Sequence, residues 1–264
     1  MELGLRDRRA LVTGSTAGIG FATARLLAAE GADVVVNGRT AARVEAAMAR
    51  IREDFPGAQL SAAPADLGTA EGCGVLIQRV PAVDILVNNV GIFEPMPFED
   101  ITDADWVRFF ETNVMSGIRL SRHYLARMRT RDWGRIVFVS SESAVQIPPE
   151  MIHYGMTKTA QVAVARGIAE TTAGTGITVN SVLAGPTASE GVSEFVEQLA
   201  RGQGVSVETM AGEFFRSARP SSLLRRFARP EEVASTIVYL CSEQASATTG
   251  AAVRADGGVV RAIL

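Results

Sequence analysis

The short apolar run Ala10-Leu-Val12 passes directly into Thr13-Gly-Ser-Thr-Ala-Gly-Ile-Gly20, and from there into a helix-forming stretch. A buried strand that breaks on three glycines and restarts as a helix can fold in few ways. Gly14 suits the tight turn, Gly18 lets the backbone come close to a ligand, and Gly20 lets the helix lie against the strand. The helix start offers unpaired N–H groups and the positive end of its dipole, which suits a pyrophosphate. Ser15, Thr16 and Ile19 lie in the same turn and are expected to touch that nucleotide. The spacing is G-x-x-x-G-x-G rather than the more familiar G-x-G-x-x-G.

The rest of the chain keeps the same rhythm. Strands are expected at residues 10–13, 33–37, 59–63, 85–88, 135–140, 178–182 and 252–254, several of them β-branched runs without polar alternation. Such runs are buried on both faces of a sheet. Helices are expected at residues 19–30, 41–53, 69–80, 103–128, 154–172 and 231–241, with Gly31 as a stop and Pro230 as a start. The alternation predicts an α/β fold: one doubly wound (Rossmann) parallel sheet of about seven strands flanked by helices. With 264 residues and no linker or repeat, residues 1–264 read as one domain.

Residues 187–227 depart from the rhythm. They carry Phe195, Leu199, Met210, Phe214, Phe215, Leu223, Leu224 and Phe227 between a strand and the next helix, on what reads as two short helices. They follow a strand's carboxyl end, where such sheets bind ligands, so a helical substrate lid is expected. The competing reading is a helical hairpin packed on its own body.

Composition excludes several functions. A net charge of −3 supplies no basic field for nucleic acid or anionic membrane. No apolar stretch approaches the ~18 residues of a membrane span, and the first residues show no signal-like apolar core. Cys73 and Cys241 have no metal-ligand spacing and are too few for a disulfide scaffold. They read as buried thiols of a cytoplasmic protein, and no metal site is expected.

The choice of dinucleotide turns on the end of the second strand, Val34-Val-Val-Asn-Gly-Arg39. An NAD site usually has an acid there for the ribose hydroxyls. Gly38 stands at that place and Arg39 follows, whose guanidinium suits a 2′-phosphate. NADP(H) is therefore favoured, with NAD(H) as the alternative. Asp66, next to Leu67, is placed to accept from the adenine amino group, with a helix cap as its competing role.

Chemistry is carried by His153-Tyr-Gly-Met-Thr-Lys158, with Ser141 thirteen residues before Tyr154. Tyr154 and Lys158 share one helix face. A neighbouring ammonium, and the positive nicotinamide ring when oxidised cofactor is bound, are expected to lower the phenol's pKa, making it a general acid in reduction and a general base in oxidation. Ser141, preferred over Ser140 and Ser143 by its offset, is expected to bind the substrate oxygen. His153 and Glu142 adjoin these residues but are expected to face away from Tyr154.

With these motifs the chain resembles the short-chain dehydrogenase/reductase family, and its 3-oxoacyl reductase-like branch, over residues 5–260. Asn88-Asn-Val-Gly91 resembles the family's Asn-Asn-Ala-Gly stretch, which implies cofactor contacts at Asn89 and Gly91. Asn113, Ser141, Tyr154 and Lys158 fall where the family keeps a catalytic tetrad. Arg229-Pro-Glu-Glu232, Thr249-Gly250 and Asp256-Gly-Gly258 also resemble family sequences. By resemblance, Lys158 holds the nicotinamide ribose and Asn113 anchors a proton-relay water. Asn180-Ser-Val-Leu-Ala-Gly-Pro-Thr187 departs from the family pattern at Ala184. Gly185 and Thr187 are implied at the nicotinamide, with Thr187 or Ser189 contacting its carboxamide. The resemblance implies hydride transfer with a small-molecule carbonyl or alcohol, most simply by an NADPH-dependent carbonyl reductase. An NAD-dependent alcohol dehydrogenase, a 3-oxoacyl thioester reductase and, remotely, a non-catalytic dinucleotide sensor are the alternatives. It also implies a homotetramer, or else a dimer, through helices 103–128 and 154–172, whose surplus apolar residues include Val114, Ile118, Ala160, Val164 and Ile168.

Overall fold

The β-branched runs form a single sheet because both of its faces are covered. In the computed structural model, which describes residues 2–263 without the side chains of Glu194, Phe195 and Leu199, seven strands lie in the order β3-β2-β1-β4-β5-β6-β7. They are β1 (Arg9–Val12), β2 (Asp33–Gly38), β3 (Leu60–Pro64), β4 (Ile85–Asn88), β5 (Gly134–Ser141), β6 (Ile177–Ala184) and β7 (Ala252–Ala255). Every neighbouring pair is parallel. Successive side chains alternate between two cores. Val34, Val36, Ile85 and Val87 pack with α1 (Gly18–Ala29), α2 (Ala41–Asp54) and α9 (Pro230–Cys241). Val35, Leu86, Ile136 and Phe138 pack with α3 (Ala70–Arg79), α5 (Ser116–Arg131) and α6 (Ile152–Glu170). The strand order reverses between β1 and β4, which opens a crevice at their carboxyl ends.

Gly31 ends α1 in the left-handed region (φ 84°) and Pro230 opens α9, both as expected. The helix expected at 103–128 is divided. α4 (Asp103–Phe110) gives way to a π-helical turn, Glu111–Met115, before α5 begins. The wider turn is centred on Asn113, and such turns recur at functional sites.

The span 187–227 folds as two helices, α7 (Glu190–Gln203) and α8 (Val207–Ser217). Ser189 and Ser206 cap their starts, and Gly204 (φ 66°) turns the chain between them. Its two ends meet: Thr187 pairs with Ala228, and Ala188 N donates to Ala228 O at 2.8 Å. Val196, Ala200 and Met210 form a small core of its own, with Val192 and Phe227 against it. Phe195 and Leu199, expected among its apolar residues, have side chains outside the described residues. No described helix is long and apolar enough to cross a membrane. Among the described residues no group of His, Cys, Asp or Glu could hold a metal, and Cys73 and Cys241 are buried free thiols.

Candidate active site

A cleft of about 640 Å³ lies at the carboxyl ends of the central strands, under α7 and α8. Its floor is the glycine turn. Gly14 (φ 62°) and Gly18 (φ 55°) take the left-handed conformation, and a Cβ on Gly20 would lie 2.4 Å from Asn89 Nδ2 and 2.5 Å from Gly14 O. No side chain caps α1, so its first N–H groups face the cleft. Thr13 and Asn89 brace the turn from β4: Asn89 N donates to Thr13 Oγ1 at 2.8 Å, and Asn89 Nδ2 to Thr13 O at 2.9 Å. Asn37 completes the brace by accepting from Gly14 N at 3.0 Å. Gly18, Ile19, Gly20, Asn89 and Gly91 all line the cleft. Ser15 does not take the place expected of it. It is buried, its hydroxyl donates to Val12 O and its N–H to Asn37 O, so it supports the turn from behind. This cradle, shaped by glycines where a side chain would be strained or would clash, and open at a helix start, fits a dinucleotide.

At the end of β2 the structure explains why no acid stands there. A Cβ on Gly38 would lie 2.5 Å from Thr16 Cγ2, so the position admits no larger residue while Thr16 keeps its place. Arg39 follows, exposed and in no ion pair among the described residues. Asp66 is exposed; its Oδ1 accepts from Gly68 N at 3.0 Å, and Leu67 beside it is buried in the core. Asp66 is not the cap of α3; Thr69 is, accepting from Gly72 N.

β5 and β6 pair over eight positions, from Gly134↔Ile177 to Ser141↔Ala184, and so deliver Ser141 to the sheet edge beside Gly185. Of its two rivals, Ser140 donates its hydroxyl to Lys158 O, and Ser143 turns its N–H onto Ser141 Oγ at 3.1 Å. α6 brings Tyr154 and Lys158 to the same cleft. Lys158, the only lysine in the chain, is buried. Its Nζ donates to Val139 O at 3.0 Å and Gln161 Oε1 at 3.2 Å, and it faces Gly91, where a Cβ would lie 3.4 Å away.

Asn113 also joins the group. Its Oδ1 accepts from Ile92 N at 2.7 Å, and its Nδ2 donates to Ile92 O and Thr157 Oγ1, both at 3.0 Å. Its main-chain carbonyl, freed by the π turn, accepts from Gln161 Nε2. Thr187 is buried with its hydroxyl on Gly185 O at 2.8 Å, while Ser189 caps α7 with its Cβ over Gly18; both line the cleft.

Without cofactor, the lysine does not lower the Tyr154 pKa as expected. Burial pushes the phenol up, and the Glu142 carboxylate adds to this; the Ser141 hydroxyl and Arg219 pull the other way. Burial likewise brings Lys158 down to about 8, with Glu142 opposing. The ammonium fails to dominate because it is turned onto Val139 and Gln161, with its Nζ 5.5 Å from the Tyr154 ring centroid. At neutral pH Tyr154 is a phenol, hence a proton donor. His153 faces away as expected, buried against Phe109 and Trp106 with both ring nitrogens unpartnered. Desolvation keeps its pKa below the ordinary value.

Glu142 was expected to face away and does not. The Ser141 hydroxyl donates to its Oε2, and its Oε1 accepts from Arg219 Nε at 2.8 Å. Arg219 follows α8 and also reaches Glu150 at 3.1 Å. All three line the cleft. Glu142 was readable only as a neighbour of Ser141; nothing in sequence pairs it with Arg219, 77 positions away. From residues 187–227, Val192, Val196, Met210, Phe214 and Phe227 face the cleft; Phe215 packs behind them against Phe214 and Phe227.

Comparison with known proteins bears on this arrangement. Residues 14–260 match a family model described as enoyl-(acyl carrier protein) reductase. The chain is similar to the uncharacterised oxidoreductase YvaG of Bacillus subtilis, 47% identical over 263 residues and 100% of both chains. D-beta-hydroxybutyrate dehydrogenase of Cupriavidus necator is 34% identical over 97% of this chain and 99% of its own. Among solved structures, L-sorbose reductase from Gluconobacter frateurii, complexed with NADPH and L-sorbose, superposes with a TM-score of 0.94 at 30% identity over 100% of both chains. The cradle, the Ser141–Tyr154–Lys158 edge and these relatives agree: the chain belongs to the short-chain dehydrogenase/reductase family of nicotinamide-dependent oxidoreductases acting on carbonyl and alcohol groups.

Proposed function

We propose that the protein is an NADPH-dependent reductase of small neutral carbonyl compounds, able to run in reverse as an alcohol dehydrogenase. The observation that carries this reading is the convergence of Ser141, Tyr154 and Lys158 on one cleft that ends in the glycine cradle. Gly14, Thr16, Gly18, Ile19 and Gly20 would hold the dinucleotide phosphates, Asp66 and Leu67 the adenine, and Asn89, Gly91, Gly185 and Thr187 the nicotinamide half. When bound, the cofactor supplies or accepts the hydride. Arg39, with no acid at Gly38, favours the 2′-phosphate. The NADPH in the sorbose reductase complex supports the same choice.

The chain's own residues then handle orientation and the proton. Lys158 turns its remaining N–H toward the ribose hydroxyls. The Ser141 hydroxyl orients the substrate oxygen, and the Tyr154 phenol gives that oxygen its proton in reduction and recovers it in oxidation. Asn113 holds the 92 loop and α6 in register through its bonds to Ile92 and Thr157. Residues 187–227 act as a substrate lid. The cleft is lined by four carboxylates, Glu142, Glu150, Glu190 and Glu213, against Lys158 and Arg219. That balance disfavours an anionic substrate and, with Phe93, Met210 and Phe214 opposite, suits a neutral one.

The test follows loss of NADPH absorbance with L-sorbose, cyclohexanone, acetoacetate and acetoacetyl-coenzyme A. Turnover of a neutral ketone faster than either anion, and with NADPH in preference to NADH, is expected. Absence of NADPH loss with all four would overturn the reading. A homotetramer in the cytoplasm completes it. Val107 and Phe110, exposed on α4, and the half-buried Ile118, Val164 and Ile168 support subunit contacts; Val114 is buried in its own chain and takes no part. A light-scattering mass near 28.0 kDa at micromolar concentration would exclude the assembly.

A further inference from the structure

The Ser141 hydroxyl has one hydrogen, and it is already in use: it is donated to Glu142 Oε2. Ser141 Oγ also accepts from Ser143 N at 3.1 Å, which leaves the hydroxyl a lone pair but no donor for a substrate. Ser140 next to it is committed to Lys158 O and cannot stand in. Glu142 is held to match. Its Oε1 accepts from Arg219 Nε at 2.8 Å, and the Arg219 and Glu142 side chains are only 9% and 5% exposed. The guanidinium keeps its charge, so its partner is an acceptor-only carboxylate.

A carbonyl substrate needs that hydrogen. To orient a C=O, Ser141 must turn its hydroxyl away from Glu142, and Oε2 then loses the one donor it has among the described residues, at a buried site. A plain ketone offers nothing in exchange. A ketone with a hydroxyl on the next carbon does. Ser141 Oγ and Glu142 Oε2 are hydrogen-bonded neighbours. The two oxygens of an α-hydroxy ketone, on adjacent carbons, also lie at about hydrogen-bond separation. Laid along this pair, the substrate carbonyl accepts from Ser141 while its hydroxyl donates to Glu142, and no buried group loses a partner. Ser141 and Glu142 both line the cleft, as do Phe93 and Phe214, which suit the substrate's apolar remainder.

We propose that Glu142 is a specificity residue of this enzyme, selecting α-hydroxy ketones in reduction and 1,2-diols in oxidation by accepting from the hydroxyl beside the reacting carbon. The proposal rests on the carbonyl-reductase reading and adds no step to it. Hydride and proton are handled as described there, and Glu142 remains a carboxylate throughout. Arg219 is a positioning residue. It belongs to residues 187–227, so the segment over the cleft fixes the carboxylate that the sheet edge presents.

Cyclohexanone, 2-hydroxycyclohexanone and 2-methoxycyclohexanone share one skeleton and separate the donor from its other effects. The methoxy group draws electrons from the carbonyl much as the hydroxyl does, but has no hydrogen to give. With the parent protein and NADPH, kcat/KM for the hydroxy ketone should exceed that for either of the others by about ten- to a hundredfold, the range for a hydrogen bond to a charged group. The double variant Glu142→Leu/Arg219→Met removes both charges, so that neither is left buried and unpaired. In it the ratios should fall to within about threefold of one, whereas a merely structural loss would slow all three substrates together and keep the ratios. NADPH fluorescence confirms that the variant's cradle is intact. If the double variant does not fold, Glu142→Gln is read in its place, with the ratios lowered at least about threefold. Parent ratios below about threefold, or ratios that the variant keeps, would overturn the assignment. A parent that oxidises NADPH with no carbonyl compound would instead overturn the function beneath it.

Discussion

The two walls of the cleft are built by different means. The sheet edge that carries Ser141 is held by eight paired positions of β5 and β6, and all sixteen of those residues are buried. The wall made by α7 and α8 rests on a three-residue core of its own, and its contacts with the body include Arg219, the Arg50–Glu190 and Arg226–Glu232 pairs, the Thr187–Ala228 bridge and the Leu223 and Leu224 N–H groups on Gly257 O. Continuous burial gives the first wall the stability of the whole domain. The second has few buried apolar contacts, the property of segments that open locally. In the proposed function, chemistry stands on the first wall and substrate selection on the second.

The largest expected effect tests the first wall. Tyr154→Phe removes the proton donor and leaves ring and helix in place. Steady-state turnover should fall by roughly 10²–10⁴ or further, while NADPH titration gives an unchanged affinity. A variant within about threefold of the parent would place the proton's handling outside this wall.

The first wall should also show the stability lost to function. Burial lowers Lys158 from 10.5 to about 8, so the cofactor-free fold disfavours its ammonium by about 3 kcal/mol below pH 8. Between pH 8 and 10.5 the folded state sheds this proton before the unfolded state does, so the penalty fades as pH rises. Lys158→Met should therefore melt higher than the parent at pH 7, by roughly 6–10 °C, with the gap narrowing toward pH 10. Equal melting temperatures at pH 7 would show that the buried ammonium is compensated.

Arg39→Asp lies outside both walls and calibrates them. Losing a charged hydrogen-bond partner should weaken NADPH by roughly ten- to a hundredfold and leave NADH equal or better. Direct titration of both cofactors decides it, and a parent that binds the two equally would remove the preference.

The smallest effect belongs to the second wall. Phe214→Ala should raise KM for bulky ketones by about fivefold with cofactor affinity unchanged. Phe215→Ala, behind the cleft, should lower the melting temperature and leave KM alone. Amide exchange across residues 187–227, with and without NADPH and ketone, tests the motion itself. Equal protection in both states would make this wall as fixed as the other.

Much of this was legible in the sequence, because its signals are local. Ala10 to Gly20 contains strand, turn and helix start within one continuous stretch, and the spacing of Ser141, Tyr154 and Lys158 follows from one strand end and one helix face. Gly31, Pro230 and the two helices of 187–227 were legible for the same reason. The missed features all depend on which distant groups burial brings together. The helix at 103–128 reads as unbroken, yet it widens at Asn113, whose side chain and carbonyl find partners on Ile92, Thr157 and Gln161. Ser15 reads as a cleft residue but turns inward to support the turn from Val12. The Tyr154 pKa reads as lowered by its lysine neighbour, whereas desolvation at the sheet edge raises it. Glu142 finds its partner in Arg219, across the cleft. Periodicity and turn chemistry act over a few residues and so determine elements and motifs. Desolvation and side-chain pairing act through space, and only the packed chain decides them.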